Sequence, residues 1–493
     1  MSKSHTIRAG LALATAAALS ACTSFTPDYQ RPKNDLPETF GKVPAGSLTA
    51  STTGGRWWTL FGDAKLTLAV EDALRHNAGV ELAVARVDEA RAQLALTGAD
   101  LLPTVSGSFS RSRSQSSQRG AIPLPAGVPR ESNSYRAAVD VSYEIDLWDR
   151  LMNTQSAARA ELLATEAARD TVKMALAADV VQGWYALAAL DQQLADTRRA
   201  LETRNAALGL QKRRFDAGMI SEFELRQLDS EVAAAEAQLP ALERRRLAQH
   251  TALGVLLGRT PREITEERGG RTVLASSAAS TATSSAASSA AARAPDAAVP
   301  LVVPAGLPSE LLLRRPDIVQ AEQRMIAANA RIAVARAAVF PSITLTGFLG
   351  SQSAGLADLF SGPAGIWSLA AALAQPIFSG GRQEAGIAVA QARERQALAQ
   401  YQLAVQTAFR EVRDALDGQQ AARAQLEAEE RRANALRDAQ RIARLRYDNG
   451  MASQLDLLDA ERNLLAAELN VAEARRAQRA AVADLFKALG GGW

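Results

Sequence analysis

The sequence predicts a mixed fold in which membrane β-strands alternate with very long α-helices, the whole unit being written twice. Three observations carry this: a turn motif that recurs near half the chain length, four segments that alternate apolar and polar residues, and two long runs free of proline. The motif Arg214-Phe215-Asp216-Ala217-Gly218-Met219-Ile220-Ser221 returns as Arg446-Tyr447-Asp448-Asn449-Gly450-Met451-Ala452-Ser453, an offset of 447 − 215 = 232. Leu102-Pro103-Thr104 likewise has a counterpart in Phe340-Pro341-Ser342. Matches in the same order in both halves favour duplication over chance. Hydrophobic residues make up 47% but aromatics only 5%, so Ala and Leu supply most of the apolar content, which is helix-former chemistry.

In chain order, residues 1–21 read as an export signal. Lys3 and Arg8 precede an apolar run from Ala9 to Leu19 that is too short to span a bilayer as a helix. The run closes on Leu19-Ser20-Ala21-Cys22, and Cys22 is the only cysteine of the chain. This resembles the bacterial lipobox, in which the chain is cut before Cys and the residue takes a diacylglycerol and an N-acyl lipid. The alternative is a non-lipidated signal that happens to end in Cys. Thr23, rather than Asp, follows Cys22, which by the same resemblance favours the outer membrane. Residues 22–62 then form an extended, lipid-anchored segment.

The first repeat, 63–270, opens with helix and continues into two alternating segments. From Tyr135, the odd positions Tyr135, Ala137, Val139, Val141, Tyr143, Ile145 and Leu147 face Arg136, Ala138, Asp140, Ser142, Glu144 and Asp146. Val105, Gly107 and Phe109 alternate with Thr104, Ser106, Ser108 and Ser110. This is the period of a strand with one apolar and one polar face. Strands are expected over 104–115 and 135–147, and in the second repeat, 301–489, over 342–351 and 366–377. Each holds about the 9–11 residues a tilted strand needs to cross a bilayer. A soluble sheet with one wet face is the alternative; the export signal, the lipobox and the turn-rich links 116–134 and 352–365 weigh against it. Four strands cannot close a barrel and open edges cannot stand in lipid, so several copies must share one barrel. Two copies would give eight strands; three give twelve and room for a pore.

After each strand pair comes a proline-free helical run, 151–213 and 382–445, each extending on the order of 95 Å at 1.5 Å per residue. The second keeps an apolar stripe through Val405, Phe409, Val412, Leu416, Leu426, Leu436, Ile442 and Leu445. Such stripes need coiled-coil partners. Each helix turns back at Gly218 or Gly450, where a left-handed Gly ends one helix and Ser221 with Glu224, or Ser453 with Asp456, opens the next in a capping box.

Between the repeats, 271–300 is Ser/Ala-rich and nearly uncharged, which suits a flexible insertion, although its Ala content also permits helix. Pro316 and Asp317 start a helix beyond it. The formal charge is +3, and Arg runs such as Arg244-Arg245-Arg246 are interleaved with Glu, so no nucleic-acid partner is indicated. His5, His76 and His250 lack metal spacing, and nothing matches a nucleophile elbow, P-loop or zincin motif.

The run Leu307-Pro308-Ser309-Glu310-Leu311-Leu312-Leu313-Arg314-Arg315-Pro316-Asp317-Ile318 closely resembles the signature of TolC-type outer-membrane factors, especially the NodT-type efflux lipoproteins. Tyr143-Glu144-Ile145-Asp146-Leu147-Trp148, Phe340-Pro341-Ser342-Ile343 and Pro376-Ile377-Phe378-Ser379-Gly380-Gly381-Arg382 are similar to the same family. The resemblance implies a TolC-like homotrimer: a twelve-stranded barrel in outer-membrane lipid, continued by long periplasmic coiled-coil hairpins. It implies a periplasmic gate at Tyr447, Leu455, Asp459 and Arg462, where three Asp459 carboxylates around a threefold axis would repel unless neutralised or held by Arg462. Without the resemblance, Asp459 and Arg462 read as an i, i+3 surface pair. It also implies that the hairpin tips, with Arg214, Phe215, Gly218, Ser221, Arg446, Gly450 and Ser453, dock a periplasmic adaptor (membrane fusion) protein working with an inner-membrane transporter of the resistance-nodulation-division type. The expected role is a passive exit duct for small molecules, with no chemistry of its own and no cofactor beyond the lipid on Cys22. The exit channel of a type I protein secretion system and a pore-less, lipid-anchored coiled-coil scaffold are the alternatives.

Overall fold

A computed structural model describes residues 29–33, 37, 55–117, 129–266 and 313–491. The export signal, Cys22 and the 271–300 insertion lie outside the described residues. The helices are α1 (Ala64–His76), α2 (Ala78–Ala99), α3 (Arg150–Asp216), α4 (Glu222–Leu256), α5 (Pro261–Glu266), α6 (Pro316–Ala337), α7 (Arg382–Asp448) and α8 (Gln454–Ala488). The strands are β1 (Thr104–Gln115), β2 (Glu131–Ile145), β3 (Ser342–Ser353) and β4 (Gly365–Ala374). The duplication is metric as well as ordinal: α2 and α6 each have 22 residues, α3 and α7 each 67, and α4 and α8 each 35.

Three of the strands depart from their sequence-expected bounds, β3 by running two residues further to Ser353. β2 begins at Glu131 because Ser132 and Ser134 pair with Ser114 and Ser112, a backbone ladder that polar residues sustain without any alternation to announce it. β4 stops at Ala374 because Pro376 has no N–H to give a ladder.

The chain divides into two compact units that cut across the repeats. The first comprises 1–33, 86–166 and 320–402 and holds the antiparallel sheet in the order β1-β2-β3-β4, so the repeats join edge to edge at β2 and β3. That seam needs Gly350, since a Cβ there would lie 2.2 Å from the Ala137 carbonyl oxygen. At the sheet end, the Trp148 indole donates to the Pro341 carbonyl at 2.7 Å and stacks on Phe340. From the N-terminal segment, Arg31 and Tyr29 reach the buried Glu322 of α6 at 2.6 and 3.0 Å.

The second unit comprises 34–85, 167–319 and 403–493. Its core is built around a group of aromatic rings: Trp57 stacks on Phe486 at 5.1 Å, and Phe61 packs on Tyr185 at 5.4 Å. Trp57–Phe61 is thus a buried 3-10 turn, where the sequence pattern suggested an extended segment running to 62. The surrounding helices supply Leu66, Val70, Val180, Val181 and Leu253. The α7 stripe is buried at Val405, Val412, Leu416 and Leu426, but Ile442 and Leu445 are about half exposed.

Candidate functional site

Two regions carry the features a channel component would need. The first is the sheet. Its register places the apolar residues of all four strands opposite one another: Val105–Val141–Gly347–Leu369 form one row, and Gly107–Val139–Leu349–Trp367 the next. Tyr143–Leu345–Ala371 and Ile145–Ile343–Leu373 continue the band toward one end; at the other the face turns polar at Arg111–Tyr135–Ser353. These side chains stand open in the single chain, with Leu369 78% exposed. A continuous apolar face backed by no core requires an apolar solvent.

The opposite face is built from Thr104, Ser106, Ser142, Thr346 and Ser368. It encloses a concavity of about 310 Å³ whose lining reaches from β1 to β4, so the polar face is the concave one. Within it Asp140 accepts from the Ser108 hydroxyl at 2.6 Å and from the Arg136 guanidinium at 2.9 Å. Arg136 in turn lies 4.5 Å over the centre of the Phe348 ring. Phe348 breaks the alternation of β3, an aromatic where the strand otherwise places small polar residues, and was not singled out from sequence. The outer edges of β1 and β4 have no strand partner among the described residues. No described helix is long and apolar enough to cross a membrane.

The second region is the pair of hairpin tips. Gly218 and Gly450 take φ of 74° and 70°, and both tips close as Schellman turns. Met219 N–H reaches the Arg214 carbonyl at 2.8 Å, and Met451 N–H that of Arg446 at 2.7 Å. Ser221 with Glu224 and Ser453 with Asp456 form the expected capping boxes. The hydrogen bonds that Asp456 accepts from the Ser453 hydroxyl and amide hold its carboxyl below the usual aspartate range. Arg214, Gly218, Ser221, Arg446, Gly450 and Ser453 are exposed, and Phe215 is partly buried. Sequence reasoning passed over what lies between them: Met219 and Phe223 are each 73% exposed, and Met451 64%. Their signal was available, since Met219 and Met451 fall between the helix-ending Gly and the capping Ser, outside any buried stripe.

Beside the second tip, the Tyr447 hydroxyl accepts from Arg214 at 3.1 Å and also from Gln211, which donates to Gln454 at 2.8 Å. The first tip therefore holds Tyr447. Asp459 pairs with Arg462 at 2.6 Å and accepts from Asn463 at 3.0 Å, all within α8, while Leu455 is exposed beside them. Tyr447 and the Asp459–Arg462 pair form two separate hydrogen-bonded groups.

Comparison with known proteins follows the same division. A family model described as "Outer membrane efflux protein" matches the chain twice, over 69–259 and 307–491. The chain is 34% identical to the cation efflux system protein CusC of Escherichia coli O157:H7, covering 98% of each. It is 30% identical to the probable outer membrane lipoprotein SilC of Salmonella typhimurium, again over 98% of each. The fold superposes on the Campylobacter jejuni CmeC outer membrane channel with a TM-score of 0.85 at 25% identity, covering 96% of this chain and 95% of that one.

Proposed function

This chain belongs to the outer membrane efflux protein family and is an efflux component of the outer membrane, and within that role we propose that three copies assemble into a passive exit duct for small molecules. The observation that carries this is the sheet: four strands with a broad apolar band, a concave polar face and two edges that have no strand partner among the described residues. Open edges are not tolerated in hydrocarbon, and twelve strands close around a water-filled bore where four cannot. Purification from outer membranes, followed by particle imaging and bilayer recording, tests it. Threefold particles that conduct are expected; a non-conducting monomer would end the proposal.

In this reading the duct performs no chemistry, and energy comes from an inner-membrane transporter of the resistance-nodulation-division type through a periplasmic adaptor. The exposed Met219, Phe223 and Met451, framed by Arg214 and Arg446, suit the tips to that adaptor, because unburied apolar side chains on rigid, capped turns are interface material. Cys22 would carry the diacylglycerol and N-acyl lipid, and no other cofactor is invoked. Tyr447, Leu455, Asp459 and Arg462 would narrow the periplasmic mouth, with each Arg462 neutralising its own Asp459 at 2.6 Å. Replacing Asp459 and Arg462 together with Ala should raise single-channel conductance; unchanged conductance would remove them from the gate.

A further inference from the structure

The geometry points to a binding site for small aromatic cations on the polar face of the sheet, centred on Asp140 and Phe348. It rests on the reading that this face lines the bore. The concavity of about 310 Å³ is the size of a small organic molecule and is lined by one carboxylate, one aromatic ring and hydroxyls from every strand. Asp140 is the only charged residue of that lining and Phe348 the only aromatic one.

Arg136 does not line the hollow, but it shapes it. Its guanidinium takes one Asp140 oxygen and covers the Phe348 ring, while Ser108 takes the other oxygen. Each carboxylate oxygen keeps a lone pair that can accept from an ammonium group. The Arg136–Asp140 pair is neutral as a whole, so attraction is short-ranged: it needs an ammonium in contact with Asp140 and an aromatic body against Phe348. Ser106 and Ser368 flank these two residues in the same cross-strand row, where they can satisfy the remaining N–H groups. Glu144, the other carboxylate of β2 on this face, is engaged by Arg150 at 2.8 Å and does not compete. A neutral or anionic aromatic lacks the ammonium contact, so the site discriminates by charge rather than by size.

The test uses the full-length protein in lipid nanodiscs with 4-fluorobenzylammonium as probe, read by ¹⁹F line broadening. Saturable broadening is expected with the wild type and not with 4-fluorobenzyl alcohol. Asp140→Asn should weaken binding at least about tenfold, as loss of a charge-assisted contact does. Phe348→Leu should weaken it several-fold, and Arg136→Gln, which frees Asp140, should strengthen it. Equal broadening by the Asp140→Asn variant, or by the alcohol, overturns the site. A membrane-impermeant maleimide separates this from failure of the bore assignment. Labelling of Ser106→Cys but not Val105→Cys keeps the polar face in water, so absent binding then counts against the site alone. The reverse labelling overturns the bore assignment and the site together.

Discussion

Arg315 is 4% exposed and distributes its guanidinium among three elements: both Asp317 oxygens at 3.0 and 2.7 Å, Glu411 of α7 at 2.7 Å, and the Ala488 carbonyl at the end of α8 at 2.7 Å. One side chain thereby closes the last turn of α8 onto the first turn of α6. Arg315→Gln leaves two carboxylates and a helix-terminal carbonyl short of a donor. The expected loss is about 2 kcal/mol, below the usual cost of breaking a buried charge pair because Asp317 and Glu411 keep contact with water. Thermal melting of the helical signal should fall by several degrees, while Glu411→Gln, which keeps a hydrogen-bond acceptor, should shift it less. Pro316 and Asp317 were legible as a helix start, because that signal is local. The role of Arg315 was not, since its partners lie 96 and 173 residues away.

Among the elements, α8 carries two carboxylates that titrate with opposite sign. Asp456 is held below its usual range by Ser453, so its contribution to the cap is complete above that range and lost as pH falls through the lowered value. Burial pushes Glu461 up despite Arg444 and Arg204, so ionising it weakens the fold as pH rises through the raised value. Acidification should therefore reduce hydrogen-exchange protection at residues 456–458 and raise it around Glu461. Ser453→Ala should cost roughly fivefold in protection at the helix start at neutral pH and abolish the acid response there. Protection at 456–458 that is indifferent to both changes would refute this account of the cap. Both caps were readable because each is written within four residues and then written again. The buried turn Trp57–Phe61 was not, because no periodic pattern marks it: its burial depends on Phe486 and Tyr185, which arrive from distant helices.

For the molecule as a whole, the two faces of the sheet make unequal demands on substitution. Leu369 belongs to the apolar face, whereas Ser368 beside it belongs to the polar one. Leu369→Arg places a charge in hydrocarbon at about 2–4 kcal/mol per copy and should abolish heat-stable assemblies in the outer membrane. Ser368→Arg should assemble normally and change ion selectivity instead. Equal tolerance of the two would contradict the facing of the sheet. The period of two along each strand made this facing visible in advance, and the register shows why it forms a band: in the four rows from Ile145–Ile343–Leu373 to Gly107–Val139–Leu349–Trp367 no polar residue interrupts the seams.

The matched lengths of the hairpin helices, 67 and 35 residues in each repeat, also constrain how such a chain can change. Deleting one residue from α3 alone would swing its tip by about 100° and retract it by about 1.5 Å. Gln211 would then lose its place beside Tyr447. The twin helices behave as paired rulers, each fixing the length its counterpart must keep for the two tips to meet.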